Sequence, residues 1–247
     1  MGDIDIKAVI TNVKKLAPIV FPNRCPVCDK VVMPQRLICR ECVGRLVLIR
    51  EPMCMRCGKQ LWQDEQFCYD CSRKHFIYER GFSLYNYNEL TQKSIINFKY
   101  NGRAEYANFY GTEMAKRYSK ILRRYDINAV LPVPIHKNRL GLRGYNQAAL
   151  IGEKLCELTG MINLDGFIVR RKNTLPQKEL DDVNRRKNMD KAFEVNSSFI
   201  IPSNIKNIVI VDDIYTTGVT IDACSRIVRD VIGCKVYFMV LAIGRGL

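Results

Sequence analysis

Four Cys-x-x-Cys pairs fall within one short stretch of this chain: Cys25/Cys28, Cys39/Cys42, Cys54/Cys57 and Cys68/Cys71. Ten, eleven and ten residues separate successive pairs, the rhythm of a repeated zinc knuckle rather than of a disulfide framework. Eight thiolates make two Zn²⁺ sites of four sulfurs each, and an all-sulfur tetrahedral site leaves no open position for catalysis, so both ions are structural. A segment of about fifty residues cannot bury enough apolar surface to fold alone, and metal binding supplies the difference. Redox use of the pairs is the competing reading. Two partitions fit the spacing. In the first, Cys25, Cys28, Cys39 and Cys42 hold one ion and Cys54, Cys57, Cys68 and Cys71 the other; in the second the pairs are cross-braced. The first closes each loop locally at lower entropic cost. Cys156, Cys224 and Cys234 lie in apolar contexts and read as core residues.

With 247 residues and 47% hydrophobic content, the chain has room for one α/β domain of ordinary size beside this cysteine-rich unit. The expected partition is a leader helix at 1–20, a double zinc ribbon at 21–75 and an α/β domain at 76–247. The leader rests on Ile6, Val9, Ile10, Val13 and Leu16 at helical spacing. No apolar run reaches the ~18 residues of a membrane span and the N-terminus lacks a basic-then-apolar signal pattern, so the chain is expected to be soluble and cytoplasmic. Past the cysteines, strands are expected at 78–87, 129–133, 167–169, 208–211 and 235–242, and helices at 90–98, 104–122 and 145–158. Alternation of this kind argues for a parallel sheet flanked by helices, with ligands at the carboxyl ends of its strands.

One strand end stands out. The run Ile208-Val209-Ile210-Val211 leads into Asp212, Asp213, Ile214, Tyr215, Thr216, Thr217, Gly218, Val219 and Thr220, followed by a helical pattern. Gly218 permits a sharp turn, converging N–H groups and threonine hydroxyls suit a phosphate, and the positive end of the next helix favours an anion. The two carboxylates sit where sugar hydroxyls would be gripped. A plain strand-to-helix turn capped by Thr217 or Thr220 is the alternative, but it has no need of two acids and three threonines around one glycine.

The stretch from Val211 to Gly218 resembles the phosphoribosyl-pyrophosphate (PRPP) signature of type I phosphoribosyltransferases. Further stretches narrow the resemblance to the ComF family of competence and DNA-utilisation proteins. They are the zinc pairs, a Lys99-Tyr100-x-Gly102 element, Pro132-Val133-Pro134-Ile135-His136-Lys137-Asn138-Arg139 continuing through Arg143-Gly144-Tyr145-Asn146-Gln147, and Arg171, Thr174, Gln177, Leu180, Arg185, Asn188, Ala192 and Phe193. The resemblance implies a type I phosphoribosyltransferase fold at 76–247, akin to the amidophosphoribosyltransferases, behind the double ribbon. It implies PRPP bound with Mg²⁺, and Asp212 and Asp213 on the ribose as catalytic residues. Thr216, Thr217, Gly218, Val219 and Thr220 would hold the 5′-phosphate, and Ile135, His136, Lys137, Asn138 and Arg139 the pyrophosphate. A mobile loop containing Arg171, Gln177 and Arg185 would close over the ligand. It also implies DNA-uptake partners, a helicase and a channel.

The formal charge is +14, and two tetrathiolate zinc sites would bring it to about +10. Eleven Lys or Arg residues lie between Lys137 and Lys187, including Arg170-Arg171-Lys172 and Arg185-Arg186-Lys187, which suits a polyanion such as PRPP or single-stranded DNA. No base-stacking aromatics are interleaved in those clusters. The acceptor of a phosphoribosyl group is not written in the chain. Turnover on a base, nucleotide or nucleic acid and PRPP binding without turnover both remain open.

Overall fold

A computed structural model of the chain describes residues 22–171 and 192–244. The expected leader helix and the loop positions Thr174, Gln177, Leu180, Arg185 and Asn188 lie outside the described residues. The elements run α1 (Tyr69–Arg73), β1 (Arg80–Asn86), α2 (Glu89–Tyr100), α3 (Tyr106–Arg124), β2 (Ile127–Pro132), α4 (Lys137–Arg143), α5 (Gln147–Thr159) and β3 (Ile162–Asn163). They continue with β4 (Ile168–Arg170), β5 (Phe193–Val195), β6 (Asn207–Tyr215), α6 (Val219–Val231) and β7 (Val236–Ile243). None of the described helices is long and apolar enough to cross a membrane.

Five strands pair in the order β1-β7-β6-β2-β3, all parallel. Every residue of β7 is buried, as a strand covered on both faces requires. Alternation along the strands separates two cores. Val209, Val211, Tyr237 and Met239 face Tyr106, Tyr110, Ile151 and Leu155 of α3 and α5. Ile208, Ile210, Val236 and Phe238 face Ile221, Cys224 and Val228 of α6. The strand expected at 167–169 exists, but β4 pairs antiparallel with β5 in a separate two-stranded sheet. These two strands bracket the charged segment and close on each other directly, which a three-residue strand does more readily than it spans the main sheet.

The ribbons extend both cores. Cys25, Val27, Val32, Cys42 and Leu46 join the first, and Ile49, Cys54, Cys57, Leu61, Cys68 and Cys71 join the second. They also cover the open edge of the sheet. Gly81 N donates to Arg56 O at 2.7 Å, Ile49 N to Leu84 O at 3.1 Å and Asn86 N to Val47 O at 3.3 Å, so donors and acceptors of β1 that would otherwise invite another strand are occupied. Close approach depends on Gly58, at φ +71, where a Cβ would stand 2.6 Å from the Gly81 carbonyl oxygen.

Candidate active site

Two loops leave the carboxyl ends of neighbouring strands. Pro132 of β2 is in register with Val211 of β6, and Val133 N extends the ladder to Val211 O at 2.9 Å. Residues 133–139 and 216–220 therefore emerge side by side, where ligands bind in open parallel sheets.

In the 216–220 loop, α6 begins with no side-chain cap. Its N-cap is Gly218 at φ 80, ψ −7, with no side-chain hydrogen bond, so neither Thr217 nor Thr220 caps the helix. Among the described residues no backbone carbonyl accepts from the N–H groups of 216–220. Gly218 is required twice over, by its left-handed backbone and because a Cβ would lie 2.4 Å from Tyr215 Oη and 3.1 Å from the Phe76 ring. The result is a tight turn with unspent donors at the positive end of a thirteen-residue helix.

The acids end the same strand. Asp213 Oδ1 accepts from Lys99 Nζ at 2.7 Å, with the two side chains 14% and 17% exposed. Asp212 Oδ1 accepts from Asp213 N at 2.8 Å. Although part of Asp212 reaches solvent, burial by the surrounding sheet and helix, and then the Asp213 charge, push its carboxyl up to about 7, against the pull of the Asp213 N–H, Lys99 and Arg170. Lys99 is aimed by the end of α2, which is docked from outside. Tyr145 Oη donates to Phe98 O at 2.6 Å and Gln147 Nε2 to the same carbonyl at 3.3 Å. Arg143 binds Tyr100 Oη at 3.0 Å and Gln147 Oε1 at 2.9 Å. The Lys99-Tyr100-x-Gly102 element and the Arg143 to Gln147 stretch thus form one unit.

The candidate pyrophosphate residues do not form a bare loop. Lys137–Arg143 is a short helix with His136 as its N-cap, a feature hidden in the sequence because no residue of α4 is buried and apolar periodicity is absent. His136 is itself buried, with Nδ1 accepting from Asn138 N at 3.2 Å and Nε2 donating to Arg171 O at 3.1 Å. Both ring nitrogens are taken by backbone, so His136 ties this loop to the base of the charged segment. Arg171 is held there by its own N–H on Ala192 O at 2.9 Å and an ion pair with Glu194. Arg170 feels first its own burial and then the Arg139 charge, both of which lower its pKa, with Asp212 opposing. Arg139, Arg170 and Asp212 therefore share one electrostatic environment. Gln177 and Arg185 lie outside the described residues.

The eight knuckle cysteines resolve into the consecutive partition. Cys25, Cys28, Cys39 and Cys42 form one cluster and Cys54, Cys57, Cys68 and Cys71 the other, each with its sulfurs within 4.8 Å of one another. Cys28 Sγ and Cys39 Sγ are 3.8 Å apart, and Cys57 Sγ and Cys68 Sγ 3.7 Å. A tetrahedron with Zn–S of about 2.3 Å has edges of about 3.8 Å, so these residues fit structural zinc. Cys224 is buried in the core as expected, while Cys156 and Cys234 are half-buried.

Residues 16–72 match the family described as a double zinc ribbon domain. The chain is 27% identical to competence protein F of Haemophilus influenzae over 72% of its own length and 79% of that protein. It is 27% identical to competence protein ComFC of Bacillus subtilis, covering 79% of each. It is 26% identical to DNA utilization protein YhgH of Salmonella typhimurium, covering 83% of this chain and 90% of that one. A solved adenine phosphoribosyltransferase overlaps 60% of this chain and 75% of its own, with 17% identity and a TM-score of 0.35. Similarity over most of its length, together with a double ribbon bearing two four-cysteine centres, makes this chain a homologue of those competence and DNA-utilisation proteins.

Proposed function

We propose that the chain binds PRPP with Mg²⁺ and transfers its phosphoribosyl group to an acceptor, in the service of DNA uptake or utilisation. The observation that carries this reading is the 216–220 turn, whose backbone donors have no carbonyl partner while Asp212 and Asp213 stand at the end of the same strand. The 5′-phosphate takes those donors, away from the reacting carbon, so its binding energy serves orientation. Asp212 and Asp213 accept from the ribose hydroxyls, with Lys99 fixing Asp213. Residues 135–139 and the nearby Arg170 face the pyrophosphate. Mg²⁺ bound with PRPP would supply neutralisation of charge at the pyrophosphate oxygens.

The bond from the anomeric carbon to pyrophosphate breaks with its electron pair leaving on the pyrophosphate. An acceptor nitrogen or oxygen then bonds to the same carbon through an oxocarbenium-like state and gives up its proton, which the departing pyrophosphate can take. Such chemistry needs charge stabilisation and exclusion of water more than a strong base. A screen of nucleobases, nucleotides and single-stranded DNA for pyrophosphate release from PRPP tests it. Acceptor-dependent release is expected, and PRPP bound without release under every acceptor would leave a binding protein.

A second reading, a PRPP-binding single-stranded-DNA component without turnover, is favoured by the surface of the second ribbon. Trp62 is 79% exposed, and the Arg73 guanidinium stacks 4.0 Å above the exposed Tyr69 ring, the side-chain types on which unpaired bases stack.

A further inference from the structure

Three consecutive residues leaving the second ribbon hold three separate parts of the phosphate turn. The Phe76 ring lies 3.1 Å from where a Gly218 Cβ would stand. Ile77 N donates to Asp222 Oδ1 at 2.7 Å, and Asp222, buried in the first turn of α6, donates its own N–H to Gly218 O at 2.9 Å. Tyr78 Oη and Tyr215 Oη are 2.6 Å apart, and Tyr215 is the last residue of β6 before the turn. The strap is stiff. Phe76 stacks on Tyr78 at 5.0 Å, Tyr78 meets Phe238 edge-on at 4.8 Å, and Tyr215 stacks on Phe238 at 5.0 Å. Arg56, inside the second knuckle, donates to Phe76 O at 3.0 Å. Cys54, Cys57, Cys68 and Cys71 belong to the same buried cluster as Phe76, Tyr78 and Tyr215.

Packing alone does not call for the two hydroxyls, because two phenylalanines would fill the same space without polar atoms to satisfy. What the paired hydroxyls add is a fixed position for the end of β6. We infer that Tyr78 is a positioning residue for the 5′-phosphate half of the site, so that the second zinc ribbon sets the shape of the 216–220 turn. The inference rests on the phosphoribosyl reading of that turn. Ile77 and Tyr78 bond to α6 and to the end of β6, whereas residues 135–139 follow β2, the neighbouring strand, which makes the two halves of the ligand separable. Ribose 5-phosphate reports on one half and inorganic pyrophosphate with Mg²⁺ on the other.

The test uses the full chain with Tyr78→Phe, Tyr215→Phe and the double substitution, titrated calorimetrically with each ligand. Loss of one buried hydrogen bond corresponds to about three- to tenfold in affinity. Each single variant is expected to bind ribose 5-phosphate about three- to tenfold more weakly, and the double no more weakly than either single, because all three remove the same bond. Zinc content and pyrophosphate affinity are expected to match wild type. Unchanged ribose 5-phosphate affinity in Tyr78→Phe overturns the inference, as does a parallel loss of both ligands, which marks general loosening. Wild-type chain that binds neither ligand overturns the phosphoribosyl reading itself, and the inference with it.

Discussion

Lys99 Nζ and Asp213 Oδ1 lie 2.7 Å apart although 114 residues separate them in sequence. The contact joins the end of α2 to the end of β6 and fixes one of the two acids that define the site. Both side chains are largely shielded from water, so the bond is strengthened by its surroundings and its loss leaves a poorly solvated carboxylate.

Lys99→Met is expected to cost about 1.5–3 kcal/mol of unfolding free energy, the range for losing a hydrogen bond to a charged group. It should also raise the Asp212 pKa further, since Lys99 is one of the charges that hold it down. Urea unfolding gives the first quantity and carboxyl-carbon NMR titration the second. A variant with unchanged stability and an unchanged Asp212 titration would show that the ion pair is incidental.

Asp212 makes stability pH-dependent in a defined direction. Its folded pKa of about 7 lies above the ordinary 3.8, so the folded chain holds a proton that the unfolded chain has released between those values. The contribution is fully present below pH 3.8 and is lost as pH rises through about 7. Asp212→Asn removes this slope, so the variant should gain thermal midpoint relative to wild type at pH 8 and gain little at pH 4. Equal differences at both pH values would place the carboxyl in the ordinary range.

Much of this arrangement was legible in the sequence, for identifiable reasons. The knuckle pairs carry their own spacing, and the apolar run of β6 followed by Asp212, Asp213 and Gly218 marks a strand end and a turn without tertiary information. Sequence reasoning did not find Asp222 or Tyr78. Their roles depend on contacts across 145 and 137 residues, and neither stands out locally. An Asp four residues before Arg226 reads as a surface helix pair, and that pair is indeed present at 2.8 Å. Helix α4 was missed because it buries no residue, and β3 because two residues are too few to show alternation.

Because the ribbons contribute to both cores of the α/β domain, metal removal should not stay local. Elemental analysis is expected to give two zinc ions per chain, and intact mass to show no disulfide. Chelation should lower the thermal midpoint of the whole protein in one transition rather than melt the ribbons alone. One zinc per chain, or a separate early transition with the domain unaffected, would contradict the shared cores.

Single-stranded DNA binding, if carried by phosphate contacts, should weaken linearly in log affinity against log salt at about 0.7 per contact, with little dependence on sequence. Substitution of Arg36, Arg40 and Arg56 should reduce that slope, as should charge reversal of Arg185, Arg186 and Lys187. Trp62→Ala should weaken binding by about 1–3 kcal/mol with the slope intact, as loss of a stacking platform does. Fluorescence anisotropy at low salt decides, and no binding there would leave the small-molecule transferase as the surviving reading.

The proposed PRPP site at the turn after β6 stands or falls on calorimetric titration of PRPP with Mg²⁺ into wild-type chain and into the Asp212→Asn, Asp213→Asn double variant. Wild type should bind at a single site, while the double variant should stay folded and zinc-loaded and bind at least tenfold more weakly, about 1.4 kcal/mol or more. Unchanged affinity in a folded double variant would contradict the site assignment.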